Sequence, residues 1–454
     1  MKVLFIVHGF PPAQHSGVFR TEAFAKYLPN HNIQPVVVAA SDDDRVLPYP
    51  SQTRTTQSTD SCPVFRANWK LVTPMSEWPA ARRFLWRFPL GATLVRRRFR
   101  EEVVQRVLPL ARHAVAEYRP EVIYASSPPE ETLLVADRIR AETGIPMVCD
   151  LRDPWTYGFD KLYRHVVGFG LERALERRVL GSAAMVIANT PTAAELLTGE
   201  IGLPKDRVVV IPNGFDEEDF AQDTPAEDLE PGCFTMVYSG ILSSQRSRDT
   251  TLRRSLKNLL GLDYHPVATD RNTRSPFWIL QAARELLDEQ PALRGVLRMW
   301  FVGNFAPDQT EMIRAFPHPQ CAVIKAPVSR RDAVMLCRRA NLLLLLQIEM
   351  KLHGRDFCSA VPGKLFDYLR SGTRILAPLQ PSDSQRIIEE LQAGTVVPPR
   401  DTAAIKSALL AEIRQWQAGA HQRRTPSPAL KAYDRKGLTA RLAEVLEEAA
   451  RTGR

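Results

Sequence analysis

Long apolar runs are missing from this sequence. The run Val3–Val7 near the start is five residues long, shorter than the hydrophobic segment of a secretory leader. Later runs such as Leu342–Leu346 fall far below the about 20 residues a spanning helix needs. The expectation is a cytoplasmic protein, soluble or peripheral on the inner face of a membrane. Cysteine is scarce: six residues, at 62, 149, 233, 321, 337 and 358, with no C-x-x-C pair. That excludes a disulfide framework and a zinc ribbon, and leaves reduced thiols. The nine histidines form no H-x-x-x-H pair. Also absent are the dinucleotide signature G-x-G-x-x-G, the nucleophile elbow G-x-S-x-G, and a P-loop, since Gly363-Lys364 runs into Leu365 without the upstream glycine. The acidic triplet Asp42-Asp43-Asp44 reads as a solvated loop run rather than a metal site. No metal and no bound cofactor are expected.

What is present is a chain of 454 residues, 44% apolar, enough for two or three domains with proper cores. Sixty Lys and Arg against 51 Asp and Glu give a net charge of +9. Such a balance favours acidic partners: nucleic acid, anionic lipid or a phosphorylated small molecule. Short β-branched runs alternate with amphipathic stretches. Strands are expected at 3–7, 36–39, 121–125, 146–150, 184–188 and 207–211, with helices at 20–28, 99–118, 130–142, 171–180 and 192–197 between them. Residues 41–80 read as irregular. After the turn Pro212-Asn213-Gly214 and an acidic linker over 216–231, the alternation restarts with strands at 234–238, 297–302, 323–324, 342–346, 374–377 and 395–397. Residues 243–273 read as a polar inserted loop. This alternation predicts two α/β halves, each a parallel sheet wrapped by helices and binding ligands at its strand C-terminal ends.

Four constellations sit at such strand ends. The loop Gly9–Gly17 leads into a helix at Ser16-Gly17, whose free N–H groups could meet an anion. Asp150-Leu151-Arg152-Asp153-Pro154-Trp155 places two carboxylates around an arginine. A carboxylate there could orient or deprotonate a substrate hydroxyl, and the arginine could hold a phosphate; the plainer reading has Arg152 bridging both carboxylates and Trp155 packed in an interface. Ser239-Gly240 ends the first strand of the second half, with Arg246 and Arg274 downstream as phosphate ligands or as solvated loop residues. In Pro362-Gly363-Lys364-Leu365-Phe366-Asp367, Lys364 and Asp367 share a helix face, and Asp367 could accept ribose hydroxyls or form an exposed ion pair with Lys364.

Taken together, His8-Gly9-Phe10-Pro11-Pro12 with Gly17 and Arg20, Asp150–Trp155, Ile211-Pro212-Asn213-Gly214-Phe215-Asp216, Tyr238-Ser239-Gly240, Phe301-Val302-Gly303 and Pro362–Gly372 make a sequence that resembles glycosyltransferase family 4 over most of its length. The resemblance implies the α/β GT-B fold, with two Rossmann-like domains facing each other across a cleft. An acceptor-side domain would span residues 1–215 and a donor-binding domain 216–430, while a C-terminal helix within 431–454 could pack back on the first. It implies a retaining transfer from a nucleotide diphosphate sugar to a hydroxyl of a polysaccharide, glycolipid or natural-product precursor. The donor diphosphate would be approached by Gly9, Ser16, Gly17 and Gly240 and bound by Arg274 or its rival Arg246. Gly363, Lys364 and Asp367 would complete the donor site, Asp367 holding the ribose. Asp150 or Asp153, with Arg152, would act at the acceptor. The family's second acidic residue is replaced here by Ser359 and Ala360, and the family's first-domain histidine by the Asp-x-Arg-Asp sequence. A non-hydrolysing sugar-nucleotide epimerase and a non-catalytic nucleotide-binding scaffold are the alternatives.

One segment stands outside these motifs. From Arg82 to Arg100 there are seven arginines and no acidic residue, with Phe84, Leu85, Trp86, Phe88 and Leu94 interleaved. It fits either an anionic membrane with a lipid-linked acceptor or a solvated basic face over core aromatics. Nucleic acid is not expected, because no recognised binding fold accompanies the charge.

Overall fold

The structure, a computed structural model, describes residues 1–13, 16–40, 62–67, 69, 78–86, 88–221, 229–243 and 264–452, with backbone alone at 16, 89 and 90. The triplet Asp42–Asp44 and Arg246 lie outside the described residues. The chain divides into two compact units.

The first unit holds a sheet of seven strands: β1 (Lys2–Ile6), β2 (Gln34–Ala40), β3 (Val64–Ala67), β4 (Val122–Ser127), β5 (Met147–Leu151), β6 (Met185–Ala188) and β7 (Val208–Val210), in the order β3-β2-β1-β4-β5-β6-β7. Every neighbouring pair is parallel. Parallel pairing requires long crossovers, and the helices α1 (Ser16–Tyr27), α2 (Ala80–Leu85), α3 (Pro89–Tyr118), α4 (Glu131–Thr143), α5 (Val166–Gly181) and α6 (Pro191–Leu196) lie in these connections. Strands covered on both faces must be apolar throughout, and β1, β4 and β5 are buried along nearly their whole length.

The second unit repeats the plan with β8 (Phe234–Ser239), β10 (Leu297–Val302), β11 (Ala322–Lys325), β12 (Leu342–Leu344), β15 (Arg374–Pro378) and β16 (Gly394–Val397), in the order β11-β10-β8-β12-β15-β16. Helices α7 (Phe277–Glu289), α8 (Pro307–Arg314), α9 (Arg330–Arg339), α10 (Lys364–Ser371), α11 (Asp383–Glu390) and α12 (Thr402–Gln417) complete it. Its apolar clusters cover the sheet from both sides, with Leu342 and Leu344 in one and Leu343 and Leu345 in the other. In both sheets the first strand has neighbours on either side that are reached in opposite winding directions. That is the strand order of a doubly wound nucleotide-binding fold, and ligands bind beyond the C-terminal ends of the strands at this reversal.

The last helix, α13 (Arg435–Thr452), belongs to the first unit. Leu438, Leu442, Leu446 and Ala449 recur at helical spacing and join the cluster formed by Val3, Phe5 and Phe24. Arg435 stacks over Phe19 at 5.9 Å, and Arg441 Nη2 donates to the Val210 carbonyl at 2.8 Å.

Several expected elements are redrawn. The helices expected from 20, 99 and 171 begin earlier, at Ser16, Pro89 and Val166. Within the stretch read as irregular, Val64–Ala67 forms the edge strand β3. The inserted loop 243–273 is not uniformly irregular: Ala268–Asp270 is strand β9, paired antiparallel with β13 (Glu349–Leu352), which pairs with β14 (Arg355–Asp356). Nor does all of it belong with the second half. Tyr264 exchanges backbone hydrogen bonds with Tyr163 at 2.7 and 2.9 Å and stacks on Phe169, within the first unit. Short, half-exposed strands carry too few apolar residues to show a period of two.

The first unit is pinned by one buried ion pair. Arg20 of α1 grips Asp150 near the end of β5 through Nε–Oδ2 at 2.8 Å and Nη2–Oδ1 at 2.9 Å, and donates to the carbonyls of Ile211 and Pro212 at 2.9 and 2.7 Å. Removing one partner strands the other charge in the core. Asp150→Asn should cost about 3–5 kcal/mol of stability, read as an earlier midpoint in urea unfolding. An unchanged midpoint would show the pair to be dispensable.

Candidate active site

In the second unit β8 is the strand at the reversal, and its exit is built for close approach. Gly240 has φ +118°, and a Cβ there would sit 3.0 Å from Lys364 Nζ. At the exit of β10 beside it, Gly303 has φ +154°, and a Cβ there would come within 2.5 Å of the Gly240 carbonyl oxygen. Any side chain at either position would fill this corner or clash within it.

Two cations converge there. Lys364 opens α10, and its Nζ lies 3.9 Å from the centroid of the Tyr238 ring. Lys364 Nζ and Arg274 Nε are both buried, form no ion pair among the described residues, and bear on the Tyr238 phenol. Burial, reinforced by the Arg274 guanidinium, holds the Lys364 ammonium below its usual range, with Tyr238 acting against them. Burial alone would raise the Tyr238 phenol; the two cations outweigh it and bring the phenol down. A buried charge is costly unless paired, so this corner is electrostatically incomplete until an anion enters. Tyr368 closes the floor, its hydroxyl accepting from the Ser239 N–H at 3.3 Å.

Asp367, expected as the ribose acceptor, stands one turn along α10 but does not pair with Lys364. Arg330 Nη1 and Nη2 hold its two carboxylate oxygens at 3.2 and 3.0 Å, and Arg330 Nε also reaches Asp219 at 2.9 Å. Gly363 has an ordinary helical φ of −56°, and a Cβ there would touch nothing within 4 Å.

In the first unit, the Asp-x-Arg-Asp sequence separates into three roles. Asp150 is wholly buried. Besides Arg20, its carboxylate accepts from the hydroxyls of Tyr124 at 2.5 Å and Ser126 at 3.3 Å. A carboxylate saturated in this way positions its neighbours and offers nothing to a substrate, which corrects its candidacy at the acceptor. Arg152 does not bridge the two aspartates. Its guanidinium donates to the carbonyls of Ser127, at 3.3 Å, and Pro128. Asp153 is half-buried, and burial, only partly offset by Arg152, pushes its carboxyl up to about 6. Of the two aspartates, Asp153 is the one whose carboxyl is partly exposed and raised toward neutrality.

The loop carrying Asp153 is anchored from below. Trp155 is buried, and its Nε1 donates to Glu172 of the same unit at 2.6 Å. Arg100 Nη1 donates to the same carboxylate at 2.6 Å, and Lys161 Nζ to Glu130 at 2.5 Å. Glu176 accepts from the Thr156 hydroxyl, and burial pushes its carboxyl up to about 8. This network joins residues 17 to 72 positions apart in sequence, and no local motif announces it. The sequence reading names Tyr238 only as part of Tyr238-Ser239-Gly240 and gives it no role of its own; the structure sets its ring against Lys364.

The first-unit loop between β1 and α1 starts with Gly9, whose carbonyl accepts from Thr21 Oγ1 at 3.2 Å. Phe10 is buried, and Arg66 donates to the Phe10, Pro11 and Ala40 carbonyls, fixing the loop to β2. Ser16 and Gly17 begin α1, which has no acidic residue in its first turn to neutralise its positive end.

Residues 18–214 match the model of a family described as a glycosyl transferase 4-like domain. No curated protein matches the chain. Among solved structures it is similar to sucrose-phosphate synthase from Thermosynechococcus elongatus (TM-score 0.59, 12% identity, 98% of each chain covered). It is also similar to HepE from Anabaena in complex with UDP (0.58, 14%, 98% of this chain and 100% of that one). A glycosyltransferase from Rickettsia africae gives 0.61 at 12% identity, covering 99% of this chain and 98% of that one. The chain has the GT-B fold, built from two Rossmann-like units, and within it residues 18–214 are similar to a glycosyl transferase 4-like domain.

The unpaired cations give a test in which stability and binding move in opposite directions. Lys364→Met removes a buried charge that has the Tyr238 ring but no carboxylate beside it among the described residues, so the ligand-free protein should melt at the same temperature or higher. Binding of a nucleoside diphosphate should weaken by about 1.5–3 kcal/mol, the range for a hydrogen bond to a charged group. Calorimetry and thermal melting of the same samples decide it: a lower melting temperature with unchanged affinity would make Lys364 structural.

Proposed function

We propose, from the glycosyl transferase 4-like domain over residues 18–214 and the cation pair of the second unit, that the chain transfers a sugar from a nucleoside diphosphate sugar to a hydroxyl acceptor with retention at the anomeric carbon. The observation that carries this reading is the burial of Lys364 Nζ and Arg274 Nε around Tyr238, neither with an ion-pair partner among the described residues. A diphosphate is the anion that a glycine-lined exit at the reversal of a doubly wound sheet accommodates.

In the reaction, the bond from the anomeric carbon to the distal phosphate oxygen breaks, and its electron pair stays on that oxygen. Lys364 and Arg274 stabilise the charge that develops there. The acceptor oxygen bonds to the same face of the anomeric carbon. Its proton passes to the departing phosphate, while Asp153 orients the hydroxyl. The ribose hydroxyls go to Asp367, which shares its carboxylate with Arg330. The positive charge that a divalent cation would bring is already supplied by side chains, so activity should survive a chelator. The acceptor classes that fit are a polysaccharide, a glycolipid or a natural-product precursor. The six free thiols suit a reducing, cytoplasmic setting.

The direct experiment is calorimetry with nucleoside mono- and diphosphates, starting with UDP because HepE was solved with UDP and with UDP-glucose. A diphosphate should bind at least about tenfold tighter than the matching monophosphate, and Arg274→Ala should remove that advantage. Equal affinity for both, or no binding across uridine, adenosine and guanosine nucleotides, would overturn the reading.

Asp153 is tested through pH. Its carboxyl is raised from the ordinary 3.8 to about 6. Between those values the folded chain keeps a proton that the unfolded chain has lost, so this group makes stability fall as pH rises through the window, while the ionised form gains in population. kcat/KM should therefore drop below about pH 6. Asp153→Asn should flatten that limb and lower kcat, with donor affinity unchanged. An acid limb that persists in Asp153→Asn would assign it to another group.

A further inference from the structure

The exposed apolar surface is concentrated in one place. Among the described residues, eleven large apolar side chains are exposed, and eight of these fall in two stretches of the first unit. Phe84, Leu85, Phe88 and Leu94 come from α2, the turn after it and the start of α3, with Phe84 57% and Leu94 54% exposed. Leu162, Val166, Val167 and Leu171 come from the loop before α5 and its first turns. The two stretches form one surface. Arg96 Nη2 donates to the Leu162 carbonyl at 3.2 Å and its guanidinium covers the Tyr163 ring, while Arg164 covers the Trp86 ring. The second stretch carries no basic-aromatic pattern as dense as the first, so only the fold reveals that they belong together.

The charges on this surface have one sign. Neither 82–100 nor 161–171 contains an acidic residue. Not all of the arginines are available: Arg100 is buried among Glu130, Glu131 and Glu172, and Arg82 lies 3.8 Å from Glu102 and over Trp78 and Phe99. Arg87 is outside the described residues. Arg83, Arg97 and Arg98 are exposed, and Arg96 and Arg164 are partly so. Large apolar side chains set among exposed cations, with acids excluded, complement an anionic lipid surface: the apolar groups enter the boundary between headgroups and acyl chains, and the cations meet the phosphates. A second copy of this chain is a poor complement, because symmetric pairing would set these arginines against themselves.

We infer that this patch, formed by Phe84, Leu85, Phe88, Leu94, Arg97 and Arg98 with residues 162–171, seats the first unit on an anionic membrane surface. The inference goes beyond the sugar-transfer reading and does not depend on it. It is tested with the full chain by sedimentation with vesicles of phosphatidylcholine alone and of phosphatidylcholine mixed with phosphatidylglycerol, at low and high salt. The protein should partition onto the anionic vesicles, and salt should weaken this. Arg97→Glu with Arg98→Glu should reduce partition at least about tenfold, as should Phe84→Ser with Phe88→Ser. Both double variants replace exposed side chains, and unchanged melting and UDP affinity would confirm that the fold and the nucleotide site are intact. No sedimentation on anionic vesicles at low salt, or equal sedimentation on neutral ones, overturns the inference. Concentration-dependent self-association that Phe84→Ser with Phe88→Ser abolishes would overturn it too, assigning the patch to a second copy.

Discussion

Everything in the first unit is organised around a charge that water cannot reach. Arg20 reaches from α1 to the carboxylate of Asp150 on β5, while its remaining donors hold the chain where it leaves β7. Tyr124 and Ser126 of β4 supply further donors to Asp150. A lone carboxylate at the centre of a sheet would be intolerable. With four donor groups around it, it fixes the relative positions of a helix, two strands and a strand exit. The loop that follows Asp150 therefore leaves the sheet in one direction, and Asp153 stands where that direction takes it.

The second unit has the opposite condition at the corresponding strand exit. Its cations are gathered, and among the described residues no carboxylate pairs with them. The two strand exits thus differ in kind: one is internally neutralised, the other carries buried cations with no ion-pair partner among the described residues. The same contrast separates the two aspartates of the first unit. Asp150 is spent on structure, and Asp153, three residues later, keeps a carboxylate free of strong partners. It also separates Lys364 from Asp367 on one short helix, since Arg330 has already taken the carboxylate.

The sequence made the sheets legible because parallel strands are covered on both faces and so appear as unbroken apolar runs, as in Val3–Ile6 and Leu342–Leu346. It also placed Gly240, Lys364 and Arg274 near strand exits. It could not separate Asp150 from Asp153, since both lie in the same tetrapeptide before Pro154 and only burial distinguishes them. The pairing of Arg330 with Asp367 across 37 positions left no mark in either local pattern. The start of α3 was hidden because Pro89, Gly91 and a run of arginines blur a helical period that the fold nevertheless imposes. The strands β9, β13 and β14 were hidden by brevity, having two to four residues each and little to bury.

The place of α13 carries a consequence for how the protein is made. Its leucines complete the core of the first unit, yet they are translated after the whole of the second unit. While the ribosome is still adding residues 213–434, the first sheet has the apolar floor formed by Val3, Phe5 and Phe24 without the helix that roofs it. The first unit to emerge is therefore the last to be finished. For that interval the nascent chain keeps an open groove that a chaperone could shield, and that a neighbouring chain's copy of the same helix could fill by exchange.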